Sequence, residues 1–233
     1  MTRIVVFSGA GISAESGLQT FRAADGLWEE HRLEDVATPE AWRRDPAQVL
    51  RFYNERRRAV RAAEPNAAHR ALAELERAGD AEVWVITQNI DDLHERAGSS
   101  RVLHLHGEIT RARSSADDEL LYDLGQNDIE LGDRCPLGSQ LRPHVVWFGE
   151  AVPMMEPAAA LAASADLFLV IGTSLSVYPA ASLLHFVPPR ARGYIVTLDL
   201  AEPPPSRFTW LREKAATGVP RLVAEWLAEP PSA

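Results

Sequence analysis

Arg3-Ile4-Val5-Val6-Phe7-Ser8 runs without a break into Gly9-Ala10-Gly11-Ile12-Ser13-Ala14-Glu15-Ser16-Gly17. The first six residues read as a short buried strand, and the next nine as a glycine-rich turn that opens a helix. Gly9, Gly11 and Ala14 satisfy the loose G-x-G-x-x-(G/A) pattern. Small residues there let a backbone approach a pyrophosphate, and a helix N-terminus offers it unpaired N–H groups. The same residues also describe an ordinary turn. A hydride-transferring dinucleotide enzyme needs, in addition, an acidic residue closing a second strand about 20 residues on. Glu29 and Glu30 fall near that distance, but in a loop-like stretch after Gly26, which weighs against hydride transfer.

Outward from this stretch, further β-rich apolar runs lie at 82–87 (EVWVIT), 166–171 (DLFLVI) and 194–198 (YIVTL), with a shorter one at 101–105 (RVLHL). None alternates cleanly, as expected of strands covered on both faces. Helical stretches fall at 46–63, at 67–78 behind the N-cap Asn66, at 157–163 and at 220–227. Strand–helix alternation of this kind predicts an α/β fold: a Rossmann-like parallel sheet with helices on both faces. Segments 25–63 and 107–143 fit the alternation poorly and are assigned to a smaller inserted lobe of one domain spanning 1–233.

With 46% hydrophobic and 24% charged residues, the chain can build a core. Its net charge of −9 argues against non-specific nucleic-acid binding. A single cysteine, Cys135, excludes an internal disulfide and a cysteine-rich metal site. No signal-peptide pattern opens the sequence and no apolar run is long enough to span a bilayer, so a soluble, cytoplasmic protein without a membrane partner is expected.

Three further motifs carry chemistry. Thr87-Gln88-Asn89-Ile90-Asp91 sits at a strand end, where open α/β sheets bind ligands; it also reads as an Asn/Asp turn. Leu105-His106-Gly107-Glu108 places a histidine where a strand stops, either as a general base or as a structural side chain. His104 shares its face if both lie on a strand. Gly172-Thr173-Ser174 follows the strand at 166–171 and is either a resting place for ribose or phosphate or a plain loop.

Taken together, GAGISAESG with Thr20-Phe21-Arg22, TQNID, LHLHGE, Val145-Val146-Trp147-Phe148-Gly149-Glu150 and Gly172-Thr173-Ser174 resemble the sirtuins in identity, order and spacing, from about residue 3 to 226. The 21–28 stretch (FRAADGLW) and 52–58 (FYNERRR) resemble the bacterial class III deacylases. The resemblance implies an NAD-dependent protein-lysine deacylase that consumes NAD and yields nicotinamide, O-acyl-ADP-ribose and free lysine. Acylated lysine side chains of proteins would be the partners. Gly9, Ala10, Gly11, Ile12 and Glu15 would form the phosphate and nicotinamide-ribose loop. Phe21, Arg22 and Trp28 would lie beside the reactive ribose carbon. Gln88, Asn89 and Ile90 would hold ribose hydroxyls, Asp91 the carboxamide, and His106, with Asn89, the catalytic position. Gly172, Thr173, Ser174, Asp199, Ala215 and Ala216 would hold the adenosine side, with Asp199 where the family usually has Asn. Val145, Val146, Trp147 and Phe148 would pair with the substrate backbone and wall the acyl-lysine tunnel. Tyr53 and Arg56, one helical turn apart, would clamp a succinyl or malonyl carboxylate.

The chain departs from the family at its metal site. Four cysteines usually hold zinc between the HGE and WFGE motifs; here Cys135 stands alone and Ser114 occupies the first ligand position. No structural zinc is expected. An apolar cluster of Leu120, Leu121, Tyr122, Leu124, Ile129 and Leu131 is expected to replace it as a staple. The competing readings are a mono-ADP-ribosyltransferase or NAD hydrolase on the same fold, and a non-catalytic NAD-sensing module.

Overall fold

The computed structural model describes residues 1–20, 27–28 and 31–229. In chain order its strands are β1 (Thr2–Ser8), β2 (Leu27–Trp28), β3 (His31–Arg32), β4 (Ala81–Thr87), β5 (Val102–His104), β6 (Gly107–Ser114), β7 (Leu121–Asp123), β8 (Leu141–Val145), β9 (Leu167–Ile171), β10 (Arg192–Val196) and β11 (Phe208–Leu211). The α-helices are α1 (Leu33–Val36), α2 (Pro39–Arg44), α3 (Pro46–Ala62), α4 (Ala67–Ala78), α5 (Leu93–Ala97), α6 (Met155–Ala163) and α7 (Ala215–Ala228).

Six strands pair in parallel in the order β11-β10-β9-β1-β4-β5. All five residues of β9 are buried, which is why its sequence is apolar without alternation. Each face has its own core. On one side Ile4, Val6, Val83 and Leu169 pack under Leu72 of α4 and Val219 and Trp226 of α7. On the other, Val5, Phe7, Phe168 and Val170 pack under Ala158 and Ala162 of α6 and under Leu183. Successive residues of β1 alternate between these two cores, so a single strand ties both layers together.

The smaller lobe joins two stretches distant in sequence. β6, β7 and β8 form an antiparallel sheet in the order β7-β6-β8, and α3 lies against it. Leu50 of α3 is buried with Ala112, Leu124 and Ile129. Phe52, Tyr53 and Val60 face the other way, into a cluster with Ile109, Val145 and Trp147.

Several local expectations change. The glycine-rich stretch opens no α-helix: Ala10–Ile12 and Ala14–Ser16 are 3-10 turns, and Gly17 ends the second at φ +87°. The loop instead bonds across to the end of β9, which holds it away from a regular helical path. The strand expected at 194–198 is β10, shifted toward the N-terminus, and β11 pairs beside it as an edge strand that sequence reading did not find. α7 starts at Ala215, one and a half turns before Pro220, whose ring the helix tolerates close to its first turn. β5 ends at His104, so His106 lies in the turn beyond it rather than on the same strand face.

The expected apolar staple forms only in part. Leu124 and Ile129 are buried and Tyr122 packs against them, while Leu131 is exposed. Polar ties supply the rest. Asn54 donates from Nδ2 to the Ile129 carbonyl at 2.9 Å and accepts the Ile129 N–H at 3.1 Å. The fully buried Arg57 donates to the Ile109 carbonyl at 2.7 Å and to Asn54 at 2.5 Å. Arg58 pairs with Asp128, and Arg61 reaches the carbonyls of Gln126 and Asn127. Ser114, which the resemblance puts at a first ligand position, contacts Cys135 Sγ through its hydroxyl at 3.3 Å and Ser139 Oγ at 2.8 Å. Among the described residues, no group of three or more His, Cys, Asp or Glu side chains could hold a metal ion. No described helix is long and apolar enough to cross a membrane.

Candidate active site

The sheet order reverses direction at β1: later strands add on one side as β4 and β5 and on the other as β9, β10 and β11. Ligands of open α/β sheets bind beyond the strand ends at such a point. A cleft of about 680 Å³ opens there, lined by the ends of β1, β4, β9 and β10 and by the inner edge of the small lobe.

Its floor is the glycine loop. Gly9 N–H bonds to the Ile171 carbonyl at 2.9 Å and Gly11 N–H to the Gly172 carbonyl at 2.8 Å. A Cβ on Gly11 would lie 2.7 Å from that carbonyl oxygen, and one on Gly172, whose φ is +60°, would lie 2.3 Å from the Ile12 nitrogen. Glycine at both places is thus a condition of the loops touching. It also leaves bare backbone facing the cleft, the surface a pyrophosphate needs.

One side wall is a buried polar group. Ser13 donates its hydroxyl to Asp91 at 3.0 Å and accepts Asn89 Nδ2 at 3.0 Å. Burial pushes the Asp91 carboxyl up; the Leu93 N–H and the Ser13 hydroxyl pull it back only partly. Gln88 Nε2 is buried against Gly9 with no protein partner among the described residues, a donor without an acceptor inside the cleft. These features fit a dinucleotide with a neutral carboxamide and ribose hydroxyls: bare glycine backbone for phosphate, an orphan amide donor, and a buried carboxyl.

His106 stands opposite. Its Nδ1 lies 3.0 Å from the Gln88 carbonyl. A carbonyl only accepts, so Nδ1 carries the proton and Nε2 keeps its lone pair. Burial lowers the imidazole pKa; the carbonyl contact offsets this in part. His104 does the structural work beside it, bonding the Asn89 carbonyl at 3.2 Å and Glu95 at 2.8 Å.

Tyr53 and Arg56 project from α3 into the same cleft, both almost fully buried. Arg56 donates to the Gln19 carbonyl at 3.0 Å. Burial holds the Tyr53 phenol protonated far above its usual range, while Trp147, Arg142 and Arg56 act in the opposite direction. Val145, Val146, Trp147 and Phe148 form the adjoining wall. Their backbone donors are already used: Val146 N–H by the His106 carbonyl, Trp147 N–H by Glu150, Phe148 N–H by the Ala37 carbonyl. A chain lying beside 146–148 would therefore find only carbonyl acceptors there, not free N–H donors.

The far end is lined by Gly172, Thr173, Ser174, Asp199, Glu213, Lys214 and Ala215. Asp199 is exposed and paired with Arg212 at 3.1 Å. Gly9, Ala10, Gly11, Glu15, Gln88, Asn89, Ile90 and Asp91 also line the cleft. Two others are placed elsewhere. Ile12 is fully buried in the core with its carbonyl bonded to Asn66, and Ala216 gives its N–H to Glu15 at 2.8 Å without lining the cleft. Phe21, Arg22 and Trp28 lie outside the residues whose side chains are described. Sequence reading missed Ser13, which links Asn89 to Asp91; its place two residues after Gly11 in the loop was the available signal.

A cleft at the switch point of a parallel sheet, floored by glycine and faced by a tautomer-fixed histidine, defines a dinucleotide-using α/β protein. The Sir2 family model matches residues 9–179, and the chain belongs to that family. An NAD-dependent protein deacylase of Aggregatibacter actinomycetemcomitans is 57% identical over 192 residues, covering 82% of this chain and 91% of that protein. One of Bacteroides thetaiotaomicron is 49% identical over 228 residues, covering 95% and 97%. The solved complex of a Sir2 homologue with NAD is 41% identical with a TM-score of 0.86, covering 96% of this chain and 88% of that one.

Proposed function

We propose that this chain is an NAD-dependent protein-lysine deacylase that removes acetyl and succinyl groups, working as one catalytic domain over 1–233 with a small lobe from about 25–63 and 107–143. Relatives about half identical to it are NAD-dependent protein deacylases, and the cleft carries the matching groups. NAD, consumed as co-substrate, supplies an electrophilic ribose carbon and nicotinamide as leaving group. The residues do the rest. The glycine loop receives the phosphates, Gln88 and Asn89 orient ribose hydroxyls, and Asp91 meets the carboxamide. His106 Nε2 takes the proton of a ribose hydroxyl, so that the oxygen can carry the acyl group off the lysine.

The observation that carries acyl choice is the burial of Tyr53 and Arg56 in the wall of the cleft that holds His106. A desolvated guanidinium that can meet a planar carboxylate in a forked geometry favours an acidic acyl chain. The class III assignment, the absence of structural zinc and a cytoplasmic setting belong to the same proposal. The test compares acetyl- and succinyl-lysine peptides with wild type and Arg56→Met at saturating NAD. Desuccinylation should fall roughly tenfold to a hundredfold, the worth of a charged hydrogen bond, with deacetylation little changed. Equal losses on both peptides would remove Arg56 from acyl recognition.

A further inference from the structure

Arg142 and Glu150 are not explained by NAD binding or by the proton transfer, yet both are held tightly beneath the cleft. Arg142 donates to both carboxylate oxygens of Glu150, at 2.8 and 3.1 Å, and to the Val145 carbonyl at 3.1 Å. Its guanidinium carbon lies over the Trp147 ring, 3.3 Å from the centroid. The same Glu150 accepts the Trp147 backbone N–H at 2.8 Å. Trp42 packs against the indole as well, with centroids 5.7 Å apart. One carboxylate therefore fixes both the backbone of Trp147 and the cation stacked on its ring. Arg113, 3.4 Å from Glu150, adds a second positive charge behind it.

We propose that Arg142 is a positioning residue for substrate: clamped by Glu150, it locks the Trp147 indole as a rigid wall of the acyl-lysine channel. This rests on reading 145–148 as that wall. A ring that lines a channel is useful for recognition only if its rotamer is settled before substrate arrives. Here a bidentate fork to Glu150 on one side and the cation held over the ring on the other settle it. Lysine can supply neither the fork nor the flat face, so charge alone does not replace Arg142.

The experiment uses the full chain with Arg142→Met, Arg142→Lys and Trp147→Phe. KM and kcat are measured for acetyl- and succinyl-lysine peptides and for NAD. In parallel, protein labelled with fluorotryptophan gives a 19F resonance for Trp147, assigned by its loss in Trp147→Phe. Both Arg142 variants should raise peptide KM about tenfold, the scale of a desolvated cation–π contact. They should leave kcat and the KM for NAD within roughly twofold, and should shift or broaden the Trp147 resonance. A merely structural Arg142 would move kcat, both KM values and thermal stability together, and that result overturns the proposal, as does an unmoved resonance or full rescue by Arg142→Lys. If Arg142→Met does not fold, Glu150→Gln, which weakens the clamp but keeps an acceptor, should give the same pattern at smaller size; an unchanged peptide KM there would also overturn it. An unchanged peptide KM in Trp147→Phe sinks the wall reading itself, whereas a raised one beside wild-type behaviour in the Arg142 variants sinks only the role of Arg142.

Discussion

His106 is made a base by one contact. The Gln88 carbonyl fixes its proton on Nδ1 and leaves Nε2 for chemistry. His106→Ala should lower deacylation by roughly two to four orders of magnitude, the usual worth of a general base, with NAD affinity and melting temperature near wild type. Near-normal turnover in the purified variant would remove it from the mechanism. Because burial lowers its pKa, His106 is in the basic form at neutral pH. The kcat/KM profile should therefore stay flat from pH 8 to below the ordinary histidine range and bend down only in more acid solution; a bend at or above pH 7 would contradict this. At this scale the sequence was most informative where a polar residue sits in a short motif at a strand end, as with Asn89, Asp91 and His106. It was least so for Ile12, whose motif position says nothing of which way its side chain points, and for Ser13, whose partners lie more than 70 residues away.

At the scale of elements, the long covered strands and α3 and α4 were legible because burial and capping leave local marks. Asn66 caps α4 in the sequence and in the structure alike. The β6–β8 pairing was not. Its register shifts between Glu108 and Ala112, so no period-two pattern survives, and buried Arg113 and Arg142 interrupt the apolar signal. Likewise nothing local in the sequence shows that Arg57, Arg58 and Arg61 reach the loop at 126–129. Arg57→Met should cost about 2–4 kcal/mol, because it takes its donor from the buried Ile109 carbonyl and removes one of the two donors to Asn54 Oδ1. Urea unfolding would measure this; a loss under about 0.5 kcal/mol would mean that the staple lies elsewhere. With Cys135 the single cysteine and hydrogen-bonded to Ser114 and Ser139, the purified protein should hold no stoichiometric zinc, and chelators should leave its melting temperature unchanged. One tightly bound zinc per chain by elemental analysis would refute that.

For the whole molecule, two completely buried histidines, His69 of α4 and His94 of α5, lie with ring centroids 5.0 Å apart. His69 Nδ1 accepts the Asn66 N–H, a bond that protonation at that nitrogen would break. Burial pushes the His69 pKa down to about 4, and that of His94 well below its usual value. The unfolded chain binds these protons near pH 6.5 and the folded chain does not. Stability present above that pH is therefore lost as pH falls toward 4, at up to about 1.4 kcal/mol per pH unit for each histidine. Asp91 and His104, whose pKa values are raised, oppose this in part. Urea midpoints should drop between pH 7 and 5, and His69→Gln should flatten the drop; an identical slope in the variant would contradict the assignment. The architecture around these residues was readable from strand–helix order, but the packing of α3 against β6 and β8 depends on contacts that no local pattern records. The central claim, that the assembled cleft transfers an acyl group from lysine to the ADP-ribose part of NAD with loss of nicotinamide and uptake of one water, is tested most directly by product masses. Wild-type protein, NAD and a succinyl- or acetyl-lysine peptide should yield deacylated peptide, nicotinamide and O-acyl-ADP-ribose in equal amounts, and only when all three components are present. Nicotinamide released without peptide, or ADP-ribose appearing on protein with the acyl group still on lysine, would contradict it.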